Sequence, residues 1–332
     1  MTLALLLISV FAVREARAQQ DAMFTKYMFN TLTYNPAYAG YYDYMYASLI
    51  HRTQWLNIEG APTSQSLSLH SPLRNDRVGV GFNLVSDKVG PTYSVGANFA
   101  YAYRIPVGEK ARLSIGLQVG MLHWRADWTQ LALPPDALTD PAFATQPVRN
   151  LPNFGAGIFF HTPRFFAGVS APRLVEYDLN QEFLDEADKY ARLYRHYYAT
   201  VGAAIPLNGE DLILRPVILV KNVGLLSKFS KDVAFQTIGA PTVVDLDMSL
   251  MFFKQFSLGL AMRGALESFS GKSTLSSGDI WMSYILSNGL RIGAAYDFPL
   301  TELNQITTGS FEVMVGYEMN FRSKKIVTPR YF

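Results

Sequence analysis

The chain has 332 residues, 17% of them charged and 14% aromatic, with 19 tyrosines, 22 phenylalanines and a net charge of +2. Charged residues fall well below the roughly 25% usual in soluble domains, and the balance offers no clustered basic face of the kind that nucleic-acid binding requires. The absence of cysteine excludes thiol catalysis, thiolate metal sites and a disulfide scaffold.

The first element is an apolar stretch, residues 3–13, too short to cross a bilayer and followed by Ala16-Arg17-Ala18. This predicts a secretory signal peptide over residues 1–18, although no Lys or Arg precedes the apolar run and Arg14 and Glu15 follow it. No later run of 18 apolar residues exists, so no transmembrane helix is predicted. Residues 19–42 keep no fixed period: Asp21, Lys26, Asn30 and Asn35 are mixed with Met, Phe and Tyr, and Pro36 would interrupt a ladder. They read as an N-terminal periplasmic segment or plug, packed into or beneath one mouth of the domain that follows. Tyr41, Tyr42, Tyr44 and Tyr46 come where the first strand begins and read as part of an interfacial aromatic girdle. A carbohydrate-binding platform is the other use of such ring faces.

From residue 43 to residue 321 the dominant period is two. Tyr93, Val95, Ala97, Phe99, Tyr101 and Tyr103 alternate with Ser94, Gly96, Asn98, Ala100, Ala102 and Arg104. Leu113 to Val119, Phe256 to Met262, Leu290 to Tyr296 and Phe311 to Phe321 behave alike, each with a second face of Gly and polar or ionisable groups. A dry soluble core would tolerate such a face poorly, whereas lipid outside and a polar lumen inside would suit it. Fourteen strands are predicted, near 44–55, 63–71, 77–86, 92–104, 110–122, 152–161, 164–170, 195–206, 210–220, 242–252, 255–265, 278–287, 289–297 and 308–321. On the twelfth, Trp281 falls on the polar side. The connections alternate in length: those near 72–76, 105–109, 162–163, 207–209, 254 and 288 are short, while 127–151, 171–194, 221–241 and 267–277 hold every long one. Short turns inside and long loops outside are the habit of outer-membrane barrels. The fold class is therefore all-β, a transmembrane antiparallel up-and-down β-barrel with periplasmic termini, ending in a tail over 322–332.

On the parity set by the apolar faces, Arg215, Asp245, Asp247, Arg263, Arg291, Glu312 and Glu318 point inward. Two readings stand: a network of paired charges that narrows the lumen, or hydrated charges lining a water-filled pore. The five histidines show no metal-ligand spacing, and the acidic residues Glu182, Asp185, Glu186 and Asp188 lack the regular spacing of a calcium loop. His70 lies close in sequence to Ser66, Ser68 and Ser71, but geometry, not spacing, defines a Ser–His site. No cofactor, metal or catalytic residue is predicted.

Several separated motifs occur in order. Tyr27-Met28-Phe29-Asn30 is followed by Asn35, Pro36, Ala37, Tyr38, Ala39 and Gly40, and then by Arg52, Thr53, Gln54 and Trp55. Ser68 to Leu73 comes next, then Asp87, Lys88, Val89, Gly90 and Pro91, and the chain closes on Pro329, Arg330, Tyr331 and Phe332. This order resembles the PorP/SprF family of outer-membrane proteins of the type IX secretion and gliding machinery. The matches concentrate in residues 19–104 and at the C-terminus. The resemblance implies an outer-membrane barrel, not an enzyme, that supports export or surface attachment of cargo proteins. Its implied partners are other secretion or gliding proteins of the outer membrane and periplasm, the secreted cargo and the lipid bilayer. It also makes Pro329, Arg330, Tyr331 and Phe332 a candidate docking peptide, where the basic tail alone would read as solvated. The competing function is a channel for small hydrophobic or polar solutes. Because Ala16 and Ala18 supply the small residues that a signal peptidase needs, mature protein is expected to start at Gln19. N-terminal sequencing of outer-membrane material checks this, and an intact 3–13 segment refutes it.

Overall fold

A computed structural model describes residues 24–73, 76–131, 146–178, 192–223, 242–266 and 275–319. Its strands are β1 (Met45–Thr53), β2 (Thr63–Pro72), β3 (Val78–Val89), β4 (Thr92–Val107), β5 (Ala111–Ala126), β6 (Val148–His161), β7 (Phe165–Ala171), β8 (Tyr177–Asp178) and β9 (Arg192–Leu193). They continue with β10 (His196–Ala203), β11 (Ile205–Asn208), β12 (Leu212–Val223), β13 (Val243–Phe252), β14 (Phe256–Ala265), β15 (Leu275–Ile285), β16 (Leu290–Pro299) and β17 (Ser310–Met319). All but the short β8–β9 ladder belong to one antiparallel sheet, and β1 pairs with β17 to close it. The eighth wall strand, expected as a single run, is broken at Ala204, and its two parts β10 and β11 both lie along β12. Among the described residues the wall is thus a closed barrel of fourteen strands.

Closure gives every wall strand a neighbour on each side, which a bilayer demands because it offers backbone groups no other partner. No helix of the described residues is long and apolar enough to cross a membrane. The alternation places apolar side chains outward: Phe99, Tyr101, Leu117, Val119, Leu260 and Val315 are all exposed on the outer face. Ser48, Ser66, Asn83, Gln118, Asp247 and Glu312 are buried on the inner one. Trp281 is inward and buried because its indole N–H donates to Asp247 Oδ2 at 2.8 Å. Five of the six connections on one rim, 108–110, 162–164, 209–211, 253–255 and 286–289, are turns of three or four residues, and 73–77 is the sixth. The remaining connections leave and re-enter the wall at the other rim.

Residues 24–44 occupy the lumen. A 3-10 turn (Tyr27–Phe29), one helical turn (Thr31–Tyr34) and a second 3-10 turn (Pro36–Tyr38) carry Phe24, Phe29, Leu32 and Tyr38 into a core shared with Ile50, Phe159 and Trp281 of the wall. The tyrosine girdle expected at Tyr41, Tyr42, Tyr44 and Tyr46 is corrected. Tyr41, Tyr42 and Tyr46 are buried against the lumen, where Tyr42 stacks on Tyr44 and on His70. The reason is that β1 starts only at Met45, and Tyr46 shares the inward parity of Ser48, Ile50 and Arg52. The outward tyrosines nearest the short-turn rim are instead Tyr103, Tyr284 and Tyr317.

The wall admits the segment because it is cut away beneath it. A Cβ on Gly116 would lie 2.1 Å from the Ala37 nitrogen, one on Gly79 2.0 Å from the Ala39 oxygen, and one on Gly157 2.1 Å from Asn35 Oδ1. Gly40, at φ +69°, turns the chain against Gly79. Filling such a contact costs about 1–3 kcal/mol. Gly116→Val is therefore expected to loosen residues 24–40, so that protease cleaves them in the detergent-solubilised barrel. Gly96→Ala, whose Cβ would meet only Leu122 at 3.5 Å, should leave them resistant. Equal resistance in both variants would show that the glycine contact does not seat the segment.

Candidate functional site

The local structure of the plug follows from its sequence. Asn35 side-chain Oδ1 accepts the Ala37 N–H at 3.0 Å and Pro36 follows at the first position of the turn, the residue order that caps a helical start. Asn35 Nδ2 donates outward to the Ile158 carbonyl of β6 at 3.1 Å, and Ser170 Oγ of β7 donates to the Tyr34 carbonyl at 2.7 Å. On the β2–β3 side, Asn30 donates to Ser66 Oγ at 2.5 Å and accepts from Ser68, while Asn83 Nδ2 reaches Thr33 Oγ1 at 2.8 Å. These contacts absorb Ser66 and Ser68, and His70 stacks on Tyr42 and meets Tyr38 edge-on. The arrangement around His70 is thus one of packing and plug seating.

The opposite half of the wall is charged. Pairing places Asp247, Ala261, Asp279 and Asp297 in one row across β13 to β16, with Asp279 directly opposite Asp297. Like charges directly opposed across strands destabilise a sheet, so the row needs cations. Lys26 of the plug supplies one: its Nζ lies 2.6 Å from Asp279 Oδ1 and 3.1 Å from Asp247 Oδ2. Arg52 supplies the other, 2.5 Å from Asp297 Oδ2 and 3.5 Å from Glu312 Oε2, and it also contacts the Thr25 hydroxyl. Glu312 in turn accepts the backbone N–H groups of Thr25 (2.7 Å) and Lys26 (2.9 Å), and the Thr25 hydroxyl donates to Asp297 at 2.7 Å.

All seven inward charges expected from parity lie on the lumen side. Asp245 and Arg263 face each other across β13–β14 and pair through two bonds, of 2.6 and 3.0 Å. Arg291 lies 3.5 Å from Glu318 and covers the rings of Phe29 and Tyr46. Arg215 lies over the Trp281 ring, 5.9 Å from its centre. Asp247 and Glu312 are engaged mainly by the plug and by Arg52. Lys26, Asp279 and Asp297 were missed as members of the site. The two aspartates sit on inward parity and could have been read, whereas Lys26 lies in a segment with no period.

Of the motif residues, Asn35 to Gly40 form the plug's contact with the glycines, and Arg52 is a lumen cation. Gln54 and Trp55 stand at the long-loop rim, with Trp55 at φ 46°. Asp87 accepts from Ser64 Oγ at 2.5 Å and Lys88 is exposed. Gly90 (φ 53°) donates its N–H to the Gly60 carbonyl at 2.8 Å, and the Pro91 carbonyl accepts from Asp127 N–H at 2.9 Å. The signal segment, the acidic residues 182–188 and Pro329, Arg330, Tyr331 and Phe332 lie outside the described residues. Above the plug, towards the long-loop rim, a cavity of 620 Å³ extends between β3, β5 and β6, with Thr33 and Tyr34 at its floor.

Fourteen closed strands around a seated N-terminal segment define a plugged transmembrane β-barrel. The chain belongs to the PorP/SprF family of type IX secretion system membrane proteins, which it matches over residues 16–317. No curated protein matches it. Among solved structures it is similar to the CymD monoaromatic hydrocarbon channel, at 14% identity and a TM-score of 0.50, covering 87% of this chain and 91% of that one. It is also similar to the Acinetobacter baumannii outer membrane protein Omp33, at 7% identity and a TM-score of 0.46, covering 84% and 100%. At such identities the likeness shows the barrel fold alone, and fold and family together fit an outer-membrane location.

Removing Lys26 leaves Asp247 and Asp279 buried without their cation, and breaking a buried pair by deleting one partner costs about 3–5 kcal/mol. Lys26→Met is expected to unseat the plug and raise single-channel conductance in planar bilayers well above the wild-type level. Unchanged conductance together with unchanged protease resistance of residues 24–40 would show that Lys26 does not hold the plug.

Proposed function

We propose that this protein is a plugged outer-membrane component of the type IX secretion and gliding machinery, supporting export or surface attachment of cargo proteins through protein partners. One observation carries the reading: residues 24–44 block the short-turn end of the lumen through buried, charge-assisted contacts on one side and glycine contacts on the other. Family membership says which machinery such a barrel would serve. The short-turn rim then faces the periplasm, with both barrel termini, and the long connections face the cell exterior. In this orientation the basic tail ending in Pro329, Arg330, Tyr331 and Phe332 emerges on the periplasmic side, where secretion components could dock. The role is structural rather than enzymatic, consistent with the engagement of Ser66 and Ser68 by the plug. The charge network of Arg215, Asp245, Asp247, Arg263, Arg291, Glu312 and Glu318 would rigidify the lumen rather than select ions.

The second reading, a channel for small solutes, rests on the cavity above the plug and requires the plug to move. Tagged protein purified from outer membranes under mild detergent should co-purify with other secretion or gliding components and with cargo. Recovery of none of them would overturn the secretion reading. Large, steady conductance of the wild-type barrel in planar bilayers would favour the channel instead.

A further inference from the structure

The cavity above the plug has its own chemistry, distinct from the charged half of the lumen. Its wall presents five side-chain amides, Gln54, Asn83, Asn98, Gln118 and Asn153, and two indoles, Trp55 and Trp124. Four of the amides are held by hydrogen bonds, Asn83 by Thr33. The Pro172 carbonyl accepts from Gln118 Nε2 at 2.7 Å and from Asn153 Nδ2 at 2.9 Å, and Asn153 Nδ2 also reaches Asn98 Oδ1 at 3.1 Å. Gly155 permits this convergence, since a Cβ there would lie 2.5 Å from the Pro172 oxygen. With its amide hydrogens so committed, Asn153 is 8% exposed and its Oδ1 has no partner among the described residues. A buried acceptor left unsatisfied costs about 1–3 kcal/mol, which a small shift of this side chain towards a donor in the cavity would recover.

Trp55 is set in place by the turn that follows β1. A bulky residue at φ 46° is a backbone outlier and costs about 1–3 kcal/mol. Here the Trp55 N–H donates to Ser310 Oγ at 3.2 Å, and the preceding Gln54 N–H donates to the Pro62 carbonyl at 2.9 Å. The strained turn is thus locked with its ring at the cavity's edge.

We propose that this vestibule is a binding site for a neutral saccharide. A volume of 620 Å³ falls within the roughly 300–1,000 Å³ of small-ligand pockets. Amides carry a donor and an acceptor side by side, the pair that neighbouring sugar hydroxyls match. Indole faces cover the apolar C–H face of a pyranose ring. Strand addition needs a free sheet edge, and beside the cavity the stretch 148–155 of β6, which pairs with β5 alone, already gives its Phe154 carbonyl to the Leu174 N–H at 2.8 Å, so an extended peptide is the poorer fit. Asp87 and Arg173 both line the cavity, so the lining holds no excess charge that would select an acidic sugar over a neutral one.

The test is titration calorimetry on full-length protein in an amine-oxide detergent, which has no sugar headgroup to compete. The ligands are maltotriose, cellotriose, mannotriose and chitotriose, with trigalacturonate and a capped neutral tripeptide as comparators. Saturable binding of at least one neutral trisaccharide is expected, weakened tenfold or more by Asn153→Leu and by Trp124→Leu. If Asn153→Leu fails to fold, as judged by loss of the heat-dependent gel shift of a closed barrel, Trp124→Leu carries the test alone. No binding of any neutral trisaccharide, binding indifferent to the substitutions, or tighter binding of the tripeptide or trigalacturonate would each overturn the proposal. Recovery of secretion partners is a separate measurement, so either reading can fail without the other.

Discussion

Lys26 between Asp247 and Asp279 is the contact on which the interior depends. The wall places three aspartates in one cross-strand row, two of them directly opposed, an arrangement that a barrel alone would disfavour. Arg52 answers Asp297 from within the wall, but the cation for the other two comes from the plug. The barrel is therefore built to be electrostatically complete only with residues 24–26 in place. Glu312 reinforces this by collecting two plug backbone N–H groups, so the same locus satisfies both side-chain charge and main-chain donors. Buried ion pairs add little net stability against apolar substitutes. What they add here is register, because only one placement of Thr25 and Lys26 meets all four carboxylates.

The two halves of the lumen solve the seating problem differently. On β12 to β17, charge fixes the plug's first turn. On β3, β5, β6 and β7, removal of side chains lets the plug backbone lie almost on the wall, as at Gly79, Gly116 and Gly157. The first is directional and electrostatic, and the second is steric. Asn35 joins them, since one amide both caps the turn that Pro36 begins and bonds the β6 backbone.

How much of this the sequence reveals depends on the range of each contact. The fourteen strands are legible because alternation is local: each apolar outward face, such as Phe311 to Tyr317, announces itself within ten residues. Trp281 breaks the pattern for a reason that only the fold supplies, its bond to Asp247 on another strand. The inward charges are legible by parity, but their partners are not. Asp245 and Arg263 meet across a hairpin, whereas Lys26 finds Asp247 and Asp279 at separations of 221 and 253 residues. The plug has no period because it is neither strand nor amphipathic helix. Its tyrosines read locally as a girdle, since a ring's sequence position does not say which side of a wall it will face.

A fourteen-stranded barrel also explains why a plug is needed at all. About eight strands enclose a space that inward side chains can fill, and sixteen or more leave an aqueous channel. Between these limits, side chains alone leave a gap, and a covalently tethered segment closes it without a second chain. The segment closes only the part nearer the short-turn rim, where it meets Tyr46, His70 and Phe159. Its upper surface, Thr33 and Tyr34, becomes the floor of the vestibule. The same residues that seal one side therefore shape the recess on the other, and occupancy of that recess and seating of the plug act on one shared layer of atoms.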